Sequence, residues 1–81
     1  MQKISKNTVI SFSFHNKTSL QEAGKVACYN CCEKFNFEKV KDFTDNGLTA
    51  ICPECGVDSL IPDQDGDLSN EFLKECSEYW F

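Results

Sequence analysis

The first third of the chain contains one clear alternation of hydrophobic and polar positions. Residues 9–14, with the sequence VISFSF, alternate apolar and polar side chains as a strand with one buried face does. Residues 19–23 then predict a short helical turn that Ser19 caps and Gly24 ends. Residues 1–26 are therefore predicted to form an N-terminal segment of one strand and one turn.

The middle of the chain places short apolar runs between turn residues. Residues 37–43 predict a short helix with Asn36 at its N-cap, and the Asp-Asn-Gly sequence that follows is predicted to end it. Residues 48–51 and 57–61 predict the two strands of a hairpin, joined by a tight turn at residues 52–56. This part of the chain is expected to supply the sheet.

The last segment, residues 68–81, has the spacing of an amphipathic helix. Ser69 stands at the predicted N-cap, and the acidic Glu71 in the first turn is favourable to the helix dipole. The apolar positions fall at i, i+1, i+4, i+7 and i+8, and they are Phe72, Leu73, Cys76, Tyr79 and Trp80. This helix, packed with the hairpin, predicts an α+β fold in a single domain spanning residues 1–81.

Length and cysteine content constrain how such a fold is held together. A chain of 81 residues buries only a little over half of the surface that its unfolded form exposes, so its six cysteines are expected to act as disulfides or metal ligands. Residues 1–14 contain no apolar run of signal-peptide length, and no segment approaches the roughly 18 apolar residues of a membrane span. We therefore expect a cytoplasmic protein, without membrane contact, whose thiols are reduced or bound to metal.

Four of the cysteines form two pairs with the spacing of metal ligands. Cys28 and Cys31 make one C-x-x-C pair, Cys52 and Cys55 make the other, and twenty residues separate the pairs. Each pair can place two sulfurs on one side of a tight turn, about 2.3 Å from a common Zn²⁺ ion. In the second pair Gly56 permits the positive φ that lets backbone amides point at the sulfurs. The spacing predicts one structural zinc ion held by these four thiolates.

The other two cysteines leave one alternative open. Cys32 directly follows Cys31, so spacing alone also allows a first chelate made by Cys28 and Cys32, although Cys31 matches the partner turn. Cys76 stands on the apolar stripe of the predicted helix, where a small buried thiol is expected. A dithiol redox role needs only one pair, and the chain lacks the βαβ surroundings in which a catalytic C-x-x-C usually acts.

These cysteine motifs also carry a family resemblance. The sequence CYNC at residues 28–31, followed by CPECG at residues 52–56, resembles the zinc-ribbon superfamily over roughly residues 26–61, with the ribbon itself at 27–61. Together with the ending EYWF, the segment TAICPECGVDS is similar to short uncharacterised bacterial cytoplasmic proteins with two such knuckles. The resemblance implies a fold and a compartment but no established activity. The N-terminal third and the doubled cysteine depart from it.

Charge distribution favours a protein partner over nucleic acid. The formal net charge is −5, the C-terminal third is acidic, and the chain contains no arginine, which supplies most contacts to guanine and many to phosphate. Asp63, Asp65 and Asp67 alternate as in a calcium loop, but Gly66 is misplaced for one, and a solvated turn is expected. An exposed aromatic side chain from the YWF ending, next to this acidic surface, would suit a protein partner.

The predicted function is that of a non-enzymatic adaptor or regulator that binds an unidentified protein through its acidic and aromatic C-terminal region. His15 is the one histidine in the sequence, and no second basic group accompanies it, so no catalytic residues are assigned. One alternative is a nucleic-acid-binding ribbon that uses Lys34, Lys39 and Lys41, joined by Lys25, as a local basic patch. A thiol redox protein is the other alternative.

Overall fold

The elements of the fold are taken from a computed structural model that describes residues 5, 8–63, 66 and 68–81. In chain order they are α1 (Val9–Phe12), α2 (Lys17–Ala23), β1 (Lys25–Cys28), β2 (Lys34–Asn36), a 3₁₀ turn (Phe37–Lys39), β3 (Phe43–Thr44), β4 (Thr49–Ala50), β5 (Leu60–Pro62) and α3 (Asn70–Trp80). Antiparallel strands combined with a C-terminal helix confirm the predicted α+β class. No helix among the described residues is long and apolar enough to span a membrane.

The strands form two small antiparallel sheets. The larger has the order β2-β1-β5, so that β1 is central, and Ala27 lies opposite Lys34 on one side and Ile61 on the other. The smaller joins β3 to β4, with Phe43 opposite Ala50. Every pairing is antiparallel, and the strands are only two to four residues long.

The three-stranded sheet separates two hydrophobic cores, because alternate residues of a strand face opposite sides. One core takes Val26 and Cys28 from β1, and the other takes Ala27 from the same strand. The first face of the three-stranded sheet packs against α2 and β4. The buried residues of this first core are Leu20, Val26, Cys28, Val40, Ala50, Cys52 and Leu60. The second face of the sheet packs against α1 and α3. The buried residues of this second core are Val9, Ala27, Tyr29, Ile61, Leu73 and Cys76.

The prediction of a strand at residues 9–14 is wrong. Residues 9–12 form α1, and Ser13 is its C-cap. Val9 and Ser13, four residues apart, face inward, while Ile10 and Phe14 are exposed. The Ser13 hydroxyl donates to the Ile10 carbonyl at 2.8 Å and lies 3.2 Å from the Tyr29 hydroxyl. Because the Ser13 hydroxyl finds a buried partner, this serine can face inward at helical spacing from Val9. The segment therefore follows the helical period and not the strand-like alternation of apolar residues.

Helix α2 includes the predicted turn at residues 19–23 but begins earlier. Its first residue is Lys17 and its N-cap position is held by Asn16, not by Ser19. Gly24 ends the helix in the left-handed conformation, with φ of 78°, and its N–H donates to the Leu20 carbonyl. The predicted stop is thus confirmed, whereas the start depends on Asn16, whose side chain bonds elsewhere in the fold.

The predicted hairpin between residues 48–51 and 57–61 is also wrong. The Asp-Asn-Gly sequence at 45–47 adopts positive φ at all three residues and joins β3 to β4, as Asn-Gly turns do in hairpins. Strand β5 pairs with β1 across a long sequence separation instead of with β4. The predicted helix at 37–43 shrinks to the 3₁₀ turn, because Val40 is already extended and leads the chain into β3.

Helix α3 confirms the prediction for the C-terminal segment. The Ser69 hydroxyl accepts a hydrogen bond from the Phe72 N–H at 3.1 Å, which caps the helix at its expected start. Leu73 and Cys76 are fully buried against the second face of the sheet. The predicted apolar stripe continues beyond this contact, so that its last residues reach solvent.

Candidate metal centre

The sulfur atoms of Cys28, Cys31, Cys52 and Cys55 meet in one cluster. All four Sγ atoms lie within 4.8 Å of one another. The Sγ atoms of Cys28 and Cys55 are 3.6 Å apart, and those of Cys31 and Cys52 are 3.8 Å apart. A tetrahedral ion with metal–sulfur bonds of about 2.3 Å requires sulfurs about 3.8 Å from one another. The four cysteines are therefore positioned to bind one metal ion.

The turn that carries Cys28 and Cys31 is closed by a set of backbone hydrogen bonds. The Cys28 N–H donates to the Glu33 carbonyl, and the Cys28 carbonyl accepts from the Cys32 N–H, both at 2.9 Å. Inside this loop the N–H groups of Asn30 and Cys31 point at Cys28 Sγ, at 3.3 and 3.4 Å. We call this turn the first knuckle, residues 28–33.

The turn that carries Cys52 and Cys55 repeats the same bonds twenty-four positions later. The Cys52 N–H donates to the Val57 carbonyl and the Cys52 carbonyl accepts from the Gly56 N–H, again both at 2.9 Å. The Glu54 N–H points at Cys52 Sγ at 3.4 Å. We call this turn the second knuckle, residues 52–57. Each knuckle thus presents its two sulfurs on the same side of a closed loop.

This repetition explains the doubled cysteine. Cys32 occupies the place in the first knuckle that Gly56 occupies in the second, and both are left-handed, with φ of 65° and 74°. Only glycine adopts that conformation without steric cost. Cys32 is therefore the residue that closes the turn, and its side chain packs against the second core, away from the four-sulfur cluster.

Two substitutions at adjacent positions test this division of roles. Cys31→Ser is expected to lose the metal, because it removes one of the four clustered sulfurs, whereas Cys32→Gly is expected to keep it. The glycine matches the second knuckle and relieves a backbone strain of about 1–2 kcal/mol, partly offset by the entropy of a freer unfolded chain. Metal content and thermal melting of the two variants provide the measurement. Metal lost from Cys32→Gly and retained by Cys31→Ser would make Cys28 and Cys32 the first chelating pair.

The ionisation of the clustered thiols is uneven. Burial raises the pKa of Cys31 well above its ordinary value and raises the pKa of Cys52 to about 11. Burial also acts upward on Cys55, but hydrogen bonds from the Asn30 side chain and the Val57 N–H outweigh it and lower the pKa of that thiol to about 7. A metal that binds here must therefore displace protons from Cys31 and Cys52, so its affinity falls as the pH falls.

One further side chain, which the sequence analysis did not assign to the site, touches the sulfur cluster. Ser59, fully buried and directly before β5, has its hydroxyl oxygen 3.0 Å from Cys28 Sγ. It lies thirty-one positions from Cys28 in the sequence, outside both knuckles. No local spacing connects the two residues, so only the pairing of β5 with β1 reveals the contact.

The remaining residues singled out in the sequence lie away from the cluster. Cys76 is buried in the second core, as predicted, and burial raises the pKa of Cys32 beside that core. His15 is exposed and stacks on the Phe14 ring, with the ring centroids 3.9 Å apart. Among the described residues, the four-cysteine group is the one set of three or more histidine, cysteine or acidic side chains with metal-binding geometry.

One residue of the predicted acidic turn, Asp63, forms an ion pair with one lysine of the predicted basic patch, Lys34. Asp63 is buried, not solvated as predicted, and its carboxylate lies 3.3 Å from Lys34 Nζ and accepts from the Leu68 N–H. Asp65 and Asp67 fall outside the described residues. One of the three lysines considered for nucleic acid is thus engaged within the fold, which weakens that alternative.

Comparison of the chain with protein-family models, with curated proteins and with solved structures gives no match in any of the three. The four-cysteine cluster is compatible with a site of the zinc-ribbon type. Membership of that superfamily stays a prediction.

Proposed function

We propose that this chain is a small zinc-binding protein in which Cys28, Cys31, Cys52 and Cys55 hold one structural Zn²⁺ ion. The observation that carries the proposal is the sulfur spacing: all four sulfurs lie within 4.8 Å of one another, and the two distances of 3.6 and 3.8 Å match the edge of a tetrahedron around zinc. Four protein sulfurs complete the coordination, and a closed tetrahedral site of this kind stabilises a fold instead of binding substrate. Zinc and iron are the metals that a tetrahedral set of four thiolates selects.

Metal analysis of the protein, purified from cells without added metal, tests this proposal. We expect about one zinc per chain and no iron, measured by inductively coupled plasma mass spectrometry against protein concentration. Iron in place of zinc would contradict the choice of metal, and protein that folds without any metal would contradict the structural role.

The cellular role that we propose is that of a non-enzymatic adaptor or regulator in the cytoplasm. The six cysteines, all among the described residues, form no disulfide, as expected in a reducing compartment. Tyr79, Trp80 and Phe81 are 53%, 38% and 63% exposed. Exposed aromatic side chains of this size are typical of protein-binding surfaces. We refer to these three residues as the aromatic end of α3.

Charge on the same helix indicates the class of partner. Glu71, Glu75 and Glu78 are exposed on α3, and Lys74 is the one exposed base among its described residues. Electrostatic complementarity steers association, so an acidic helix favours a basic surface. The proposed partner is therefore a protein segment that combines lysine or arginine with apolar side chains, the latter packing on the aromatic end.

A double substitution at the aromatic end tests where the partner binds. Tyr79→Ala with Trp80→Ala removes two exposed rings while keeping good helix formers, so the fold should persist. Partner binding should fall at least about 30-fold, since even one such anchor contributes about 2 kcal/mol. The measurement is affinity capture from the native cytosol, followed by titration of the captured protein.

Phe14→Ala with Leu48→Ala is the matched control, because both side chains are exposed and apolar but lie outside α3. It should leave the affinity unchanged. Equal binding by all variants, or a loss confined to the control, would place the interaction surface elsewhere.

A further inference from the structure

The contact between Ser59 and Cys28 differs from the other hydrogen bonds around the sulfur cluster. Both residues have no exposed surface, and the Ser59 oxygen and the Cys28 sulfur are 3.0 Å apart. The backbone holds this serine in place, because its carbonyl accepts from the Tyr29 N–H at 3.1 Å and the next residue, Leu60, lies opposite Cys28 in the sheet. The hydroxyl is thus fixed by strand pairing, not by a flexible loop.

The direction of this hydrogen bond follows from metal binding. A metal-bound cysteine is a thiolate and carries no proton, so the sulfur can only accept and the Ser59 hydroxyl must donate. Cys28 Sγ then receives three donors, which are the N–H groups of Asn30 and Cys31 and this hydroxyl. Hydrogen bonds from fixed donors lower the charge density on a buried thiolate, which no water can solvate.

We propose that Ser59 is a positioning residue of the metal centre, which orients the Cys28 thiolate and stabilises its charge by donating a hydrogen bond. This inference rests on the proposed zinc site. Cys28 needs such a donor more than Cys31 and Cys55, because those two are partly exposed and can be solvated by water, while Cys28 has no exposed surface. Cys52, which is also buried, has the Glu54 N–H at its sulfur. The hydroxyl therefore contributes to metal affinity through the sulfur, beyond its contribution to packing.

The variant that tests this role is Ser59→Ala, which removes one oxygen atom and leaves the side-chain volume nearly unchanged. Outer hydrogen-bond partners of metal ligands typically change metal affinity by about 10- to 100-fold. We expect a zinc affinity lower by about that factor in a titration against a competing chelator. We also expect the sulfur-to-metal charge-transfer band of the Co²⁺-substituted protein to move to longer wavelength, because an unbonded thiolate gives up its electron more readily.

Ser13→Ala is the matched control, since Ser13 is also a buried serine with two hydrogen bonds but does not touch a sulfur. It should lower the melting temperature and leave zinc affinity and the Co²⁺ spectrum unchanged. Ser59→Thr keeps the hydroxyl and should retain the spectrum of the unmodified protein, even if Ser59→Ala folds poorly.

The outcomes separate this inference from the zinc site on which it depends. An unmodified protein that binds neither Zn²⁺ nor Co²⁺ would overturn both. Binding by the unmodified protein with no change of affinity and band position in Ser59→Ala would overturn the inference alone. So would a lower affinity without a shift of the band, or an equal effect of Ser13→Ala, because either result would assign Ser59 to packing.

Discussion

Cys52→Ser and Cys55→Ser are each expected to abolish the stable fold. Both cysteines belong to the second knuckle, and the loss of either sulfur leaves an incomplete tetrahedron at a site that joins two distant parts of the chain. Structural zinc sites contribute about 10–16 kcal/mol of apparent binding free energy at neutral pH, which is coupled to folding. The whole unfolding free energy of a small domain is only about 5–15 kcal/mol, so the fold should not survive the loss of its metal.

Circular dichroism, thermal melting and zinc content together provide the measurement. The variants should bind less than one zinc per chain and show no cooperative melting transition. A strong chelator should remove zinc from the unmodified protein and abolish its melting transition in the same way. Re-adding zinc should restore the fold of the unmodified protein only.

Cys76→Ser is the matched control for a cysteine that is buried but lies outside the cluster. A hydroxyl among the apolar side chains of the second core should cost about 1–3 kcal/mol, so the melting temperature falls while zinc still binds in a one-to-one ratio. A native melting curve for Cys52→Ser, or zinc loss from Cys76→Ser, would contradict the proposed site.

Asn16→Ala is expected to lower the unfolding free energy by about 2–4 kcal/mol, because each buried backbone group left without a partner costs about 1–3 kcal/mol. The Asn16 amide group donates to the Leu60 carbonyl at 2.7 Å and to the Phe12 carbonyl at 3.1 Å, and its oxygen accepts from the Ala50 N–H at 3.1 Å. One buried side chain therefore joins the end of α1, strand β5 and strand β4.

The consequence of this arrangement reaches both sheets. Leu60 belongs to the three-stranded sheet and Ala50 to the two-stranded one, so Asn16 bonds to each across more than thirty positions of sequence. Alanine cannot replace any of these bonds, and the bonds to the Leu60 carbonyl and from the Ala50 N–H are both buried. Residues 9–23 are thus an integral part of the fold that carries the four-cysteine cluster.

Chemical denaturation of the zinc-loaded protein measures this effect. Asn36→Ala is the control, because Asn36 is exposed and its side chain forms no cap hydrogen bond at the 3₁₀ turn. It should change the unfolding free energy by less than about 0.5 kcal/mol, as surface substitutions do. A similarly small change for Asn16→Ala would show that helices α1 and α2 are not coupled to the two sheets through this side chain.

Short-range features of this protein could be predicted because their causes lie within a few residues. In α3 the apolar period, the Ser69 cap and the acidic first turn act within the segment itself, and the helix forms where they place it. The second knuckle is similar, since Gly56 supplies a left-handed residue where the turn needs one. The clustering of four sulfurs follows from two such turns facing each other.

Long-range pairing had no signal in the sequence. Strands of two to four residues carry too few side chains to specify a partner, so the placement of β5 beside β1 depends on how both sheet faces are buried. Residues 9–12 form a helix for the same reason, because Val9 then packs in the second core while Ser13, the C-cap, reaches the Tyr29 hydroxyl on the same side.

The sequence by itself determined the α+β class, the C-terminal helix and the cysteine spacing that suits a metal ion, because each follows from local chemistry. Tertiary structure alone decided the roles of the residues that support the cysteine cluster from elsewhere in the chain. Asn16 joins two sheets and Ser59 reaches Cys28, and each role arises from a contact between segments that the chain brings together only when it folds.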